Sequence, residues 1–114
     1  MEQSQNDVTL VGRVAAAAEQ RELPSGDVLT SWRVVVDRPP ATRTLPEGVR
    51  PTTVDTIDCV AWLAAVQRTA AGLRPGEVVT VRGSLRRRFW RGSGGPASRC
   101  EVEVSTLRRV RCRA

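Results

Sequence analysis

Apolar residues recur at every second position through most of this chain, the periodicity of strands rather than of helices. In Val8–Val14, Val8, Leu10, Gly12 and Val14 fall on one face and Thr9, Val11 and Arg13 on the other. A glycine in mid-strand predicts a bulge or a sharp bend at Gly12. Residues 28–37 follow the turn signal LPSGD and align Val28, Thr30, Trp32, Val34 and Val36, so Trp32 is read as core. Residues 54–62 set Ile57, Cys59 and Ala61 against Thr56, Asp58, Val60 and Trp62. In residues 77–90, Val79, Val81, Gly83, Leu85, Arg87 and Phe89 share one face, and Phe89 is read as core or barrel rim. Thr80, Arg82, Ser84, Arg86, Arg88 and Trp90 take the other face. Residues 99–111 form the last strand, with Cys100, Val102 and Val104 alternating against Glu101 and Glu103.

Three segments break this rhythm. Residues 38–53 hold four prolines and no apolar period, which predicts a long loop. Residues 63–73 repeat Leu63, Val66, Ala70 and Leu73 at helical spacing in an alanine-rich context and stop at a Pro-Gly turn. Residues 91–98, RGSGGPAS, read as a turn. The order is three strands, one short helix, then two strands. A sheet this small cannot bury both faces when flat, and closure into a barrel removes its edges. The expected fold is therefore all-β: a five-stranded Greek-key OB-fold barrel, with the helix between strands 3 and 4.

At 114 residues the chain is one domain. We assign the OB domain to residues 1–110 and a short basic tail to 111–114. No run of about 18 apolar residues is present to span a membrane. The N-terminal MEQSQNDVTL lacks a secretory pattern, so a cytoplasmic protein is expected. The three cysteines have no CxxC spacing, which argues against a disulfide scaffold or a zinc site. Cys59 and Cys100 read as small buried hydrophobes, and Cys112 as a free thiol in the tail.

The net charge is +6, and all 18 basic residues are arginine. An excess of this kind points to polyanions, nucleic acid before membrane. GC-rich coding sequence also favours arginine over lysine, but it does not decide where the arginines sit. Here they crowd into GSLRRRFWRGSGG, residues 83–95, beside two aromatics. With Val79, Val81 and Leu85 inward, Arg86, Arg88 and Trp90 point outward together, and Trp62 is outward on its own strand. Guanidinium groups hold phosphates, and an indole stacks on any base, which suits single-stranded nucleic acid. Arg13 on the first strand and Arg38, Arg43 and Arg50 in the long loop complete the candidate binding set.

With those residues placed, the chain resembles the bacterial single-stranded DNA-binding protein family from about Asn6 to Val104. NDVTLVGRV is similar to the family's opening strand, and SGDVLTSWRVVVDR to its second-strand region. Val81, Gly83, Leu85, Arg86, Arg88 and Trp90 fit its V-x-G-x-L-R-x-R-x-W motif. The resemblance implies that Trp62 and Trp90 stack on bases and that Arg86 and Arg88 contact phosphates. It implies a homotetramer acting in replication, repair and recombination, and a nucleoid-associated location. The outward Thr9, Val11 and Arg13 are also compatible with a dimer-forming edge. The chain departs from the pattern at Thr56, where a stacking tryptophan is usual, and at Asp58, whose carboxylate repels phosphate. It ends in RRVRCRA rather than in an acidic tip. Binding weaker than a typical member's is expected.

The competing reading is an OB-fold accessory subunit, primosome-like, that holds a protein partner on the same face with little affinity for DNA. The residues do not separate DNA from RNA. An enzyme is not expected: histidine and lysine are absent, and Asp55 and Asp58 face opposite sides of one strand. Neither a cofactor, a metal nor a small-molecule substrate is expected.

Overall fold

The computed structural model describes residues 3–40 and 42–110. Seven elements follow in order: β1 (Val8–Val14), β2 (Glu19–Glu22), β3 (Val28–Asp37), β4 (Val54–Ala61), α1 (Ala64–Ala71), β5 (Val78–Gly92) and β6 (Gly95–Arg109). The sheet runs β1-β5-β6-β4-β3-β2, and an additional β1–β3 pairing closes five of these strands into a barrel. β1 makes the closure by changing partners. It lies against β5 from Val8 to Arg13 and meets Val35 and Val34 of β3 through Arg13 and Val14. All neighbours are antiparallel except β4 and β6, which run parallel at Cys59–Val102 and Val60–Glu103.

Alternation becomes burial wherever one face of a strand looks into the barrel. Val14, Trp32, Val34, Cys59, Val79, Val81, Val102 and Val104 are buried together in one core. Val66, Ala70 and Leu73 close one end of it from the helix side. At eight residues, α1 is too short to persist on its own, so it is held by contacts to the barrel. Gln67 Nε2 donates to the carbonyls of Val28 (2.7 Å) and Ala61 (2.9 Å), and Arg109 Nη2 donates to the Gly72 carbonyl (2.7 Å).

Several expectations change. An extra strand, β2, pairs with β3, so the helix follows the fourth strand in chain order. The turn expected at 91–98 shrinks to Ser93–Gly94, and β5 and β6 run on as a hairpin to the Gly92–Gly95 pair. Gly12 carries no bulge, since its pairing to β5 is regular on both sides. It is needed because a Cβ there would overlap the Val35 carbonyl oxygen of β3. The irregularity lies instead at Arg82/Gly83, where a Cβ on Gly83 would overlap the Glu103 carbonyl oxygen. Cys112 and the tail 111–114 fall outside the described residues.

Beyond Gly83 on β5 and before Val102 on β6, neither strand has a third neighbour. The free two-stranded arm runs from the Arg86–Glu101 pair to the tip, about 20 Å from Arg86 to Gly92 at the usual rise. The arm's face that carries Phe89 (69% exposed) and Cys100 is open, so these two are surface residues rather than core, whereas Glu101 on the other face is buried at the groove.

Candidate nucleic-acid interface

The outer face of β3, β4, β6 and β5 carries the site. Antiparallel partners point to the same side, so Arg86 lies opposite Glu101, Arg88 opposite Arg99 and Trp90 opposite Ala97. Arg33 lies opposite Asp58 on the neighbouring pair. A groove of about 490 Å³ crosses this face. Ala16, Ala17 and β2 residues Glu19, Gln20 and Arg21 form one wall, and Arg88, Arg99 and Glu101 form the other. Ser31 and Arg33 of β3 and Asp58 and Val60 of β4 line it between the walls.

Four arginines of this face, Arg33, Arg86, Arg88 and Arg99, are matched to carboxylates. Arg33 Nε donates to Asp58 at 2.9 Å, and Arg99 approaches the other Asp58 oxygen at 3.8 Å. Arg86 pairs with Glu103 at 3.0 Å, and Arg88 stands 4.0 Å from Glu101. The Arg99 guanidinium lies over the Trp90 ring, 5.7 Å from its centroid. One side of that indole is thereby covered. Exposed pairs of this kind contribute about 0.2–1 kcal/mol each, so a phosphate can displace a carboxylate at little cost.

Of the residues selected from sequence, Trp62 (44% exposed) directly follows β4, Trp90 (42%) lies on β5 opposite Ala97, and Trp32 is core. Arg86 and Arg88 precede Trp90 on the same face of β5. The structure does not bring the other four to the groove. Arg13 pairs with Asp37 at 3.1 Å on the β1 side of the barrel. Arg38, Arg43 and Arg50 line a separate pocket of about 430 Å³ in the 38–53 loop. Arg38 grips Asp55 with two hydrogen bonds (2.7 and 2.9 Å). The bond from Arg38 holds the Asp55 carboxyl below its ordinary range, and Asp55 in turn raises the Arg38 guanidinium. Asp58 is not the lone repulsive charge its position implies, because two arginines flank it.

The residues missed were Arg21, Arg33 and Arg99. Arg33 was readable, since it alternates with the buried Trp32. Arg99 carries a signal of the same kind, since it falls in phase with Glu101 and Glu103 on the last strand.

A closed five-stranded barrel with a helix at one end and a charged, aromatic-edged groove across one face belongs to the oligonucleotide- and oligosaccharide-binding class. The profile of the Single-strand binding protein family matches residues 5–110, and the chain belongs to that family. It is 28% identical over 106 residues to Single-stranded DNA-binding protein 1 of Synechocystis sp., covering 91% of this chain and 82% of the relative. It is 33% identical over 85 residues to the Single-stranded DNA-binding protein of Thermotoga maritima, covering 75% of this chain and 58% of the relative. Among solved structures, the fold matches a Plasmodium falciparum SSB complex with ssDNA at a TM-score of 0.78 and 22% identity, covering 97% and 99% of the two chains.

Proposed function

We propose that this protein binds single-stranded DNA with little regard to sequence, in replication, repair or recombination. The observation that carries the reading is the outer face of β5, where Arg86 and Arg88 alternate with the half-exposed Trp90 beside a groove lined by Arg33 and Arg99. Trp62 and Trp90 stack on bases, and Arg86, Arg88, Arg33 and Arg99 exchange their carboxylates for phosphates. Arg13, Arg38, Arg43 and Arg50 act outside the groove, as further cations along a strand that leaves it. Membership of a DNA-binding family whose members are not enzymes supports the same reading. The protein acts as a homo-oligomer, a tetramer or a dimer, at the nucleoid.

Anisotropy of a labelled dT oligonucleotide tests this, with duplex DNA and the ribo-oligonucleotide as competitors. Strong competition by unlabelled dT and weak competition by duplex is expected. Equal competition by duplex contradicts the reading. The second reading, a protein-binding accessory subunit, is favoured by the three carboxylates Asp58, Glu101 and Glu103 on the face. It predicts negligible dT binding even at low salt.

A further inference from the structure

The three carboxylates of the outer face are not equally matched. Asp58 accepts a 2.9 Å hydrogen bond from Arg33, and Glu103 accepts one of 3.0 Å from Arg86. Glu101 has Arg88 as its one ion-pair partner among the described residues, and at 4.0 Å that contact is beyond hydrogen-bond reach. Yet Glu101 is the most deeply buried of the three. Its side chain is 10% exposed, against 27% for Asp58 and 35% for Glu103. Among the described residues it is the only charged one that is buried. It lines the groove of about 490 Å³, together with Arg33, Arg88 and Arg99.

A buried carboxylate without a close donor opposes folding, so packing does not account for a glutamate at this position. The groove therefore offers an acceptor that needs donors, beside cations that need acceptors. A bare phosphate satisfies the arginines but is repelled by Glu101. A metal ion satisfies Glu101 but is repelled by the guanidiniums around it. A nucleobase with donors on one edge and acceptors on another fits both. Thymine is a poor match, since its single N3–H lies between two carbonyl oxygens that repel a carboxylate. Guanine sets N1–H and the 2-amino group side by side, one for each carboxylate oxygen, because an ionised carboxylate only accepts. Its O6 and N7 are the acceptors that an arginine grips in bidentate fashion.

We propose that Glu101 selects guanine: its carboxylate accepts from N1–H and the 2-amino group of one base in the groove, while an arginine of the same groove takes O6 and N7. The inference rests on the single-stranded DNA reading above. It adds one point of base selection to a face that otherwise binds by stacking and charge.

The test is competition against a labelled dT oligonucleotide, read by anisotropy, for the wild-type chain and for Glu101→Gln, a variant of nearly the same shape whose folding is checked by circular dichroism. The competitors are equal-length dT strands, one unmodified, one with a single central guanine and one with a single central inosine. The wild type should bind the guanine strand about fivefold to 150-fold more tightly than plain dT, the range of one good bidentate base contact. Inosine, which lacks the 2-amino group, should lose most of that preference. Glu101→Gln should bind plain dT more tightly, through loss of a negative charge, and should lose the preference for guanine. A merely structural role would move all three strands alike. If the wild type binds dT and the guanine strand equally, or inosine as well as guanine, the proposal is overturned. Full guanine preference in Glu101→Gln also overturns it, since the base is then read elsewhere. Failure of the wild type to bind any strand overturns the underlying reading as well, and the plain dT strand distinguishes that outcome.

Discussion

The Arg33 Nε donates a 2.9 Å hydrogen bond to the Asp58 carboxylate, across directly opposed positions of β3 and β4. Arg99 reaches the second oxygen of the same carboxylate at 3.8 Å and lies over Trp90. A single acid therefore links cations of β3 and β6 and, through Arg99, the indole of β5. Asp58 both holds these cations in place and competes with phosphate for them. Asp58→Asn should tighten dT binding by removing a negative charge and releasing two guanidiniums. It should also steepen the salt dependence by about 0.7 for each phosphate gained. Thermal stability should fall slightly, since exposed pairs contribute about 0.2–1 kcal/mol each. Unchanged or weaker binding at low salt would contradict this assignment.

Trp62→Ala and Trp90→Ala should each weaken dT binding by about 1–3 kcal/mol, one base stack apiece. Isothermal titration at fixed salt measures this. Trp62 follows β4 and Trp90 lies on the β5–β6 arm, so the two losses should be nearly additive. Wild-type affinity in both variants would remove the stacking role.

Gly83→Ala places a methyl group against the Glu103 backbone, which cannot move without disturbing the β5–β6 pairing. A destabilisation of about 1–3 kcal/mol is expected from overpacking of this kind. Urea unfolding measures it, and an unchanged midpoint would show that the bulge region yields freely.

The two described cysteines should differ in reactivity. Cys100 is exposed on the arm, whereas burial, with a smaller push from the Asp58 charge, raises the Cys59 thiol to about 12. In a Cys112→Ser background, a thiol reagent at neutral pH should label Cys100 promptly and Cys59 only on unfolding. The raised value also sets a pH dependence. The folded state keeps the Cys59 proton more tightly than the unfolded chain, whose ordinary value is 9.0. Its contribution to stability is therefore complete below about 9 and is lost as pH rises toward about 12. Cys59→Ala should flatten that part of the pH–stability curve. An equal slope in both proteins would contradict it.

The barrel was legible wherever one strand face is buried. Trp32, Val34, Val79 and Val81 alternate with less buried neighbours because every second residue of these strands points into the barrel. Legibility failed where burial stops following alternation. All four residues of β2, EQRE, are exposed, so a charged edge strand carries no apolar period to detect. On the arm the face of Phe89 and Cys100 meets solvent, so these two kept the pattern of core residues without the burial. The ion pairs lay further out of reach. That Asp58 meets Arg33 and Arg99 depends on the register of three strands, and sequence alone does not fix that register.

The central claim, that the outer face takes single-stranded DNA against its tryptophans, is tested most directly by tryptophan fluorescence during titration with poly-dT, at low and high salt, with duplex DNA as control. Quenching by dT alone, weakened by salt and reduced in Trp62→Ala and Trp90→Ala, is the predicted result. Buried Trp32 should contribute an unquenched remainder. No quenching at low salt would contradict the claim and turn the face over to a protein partner.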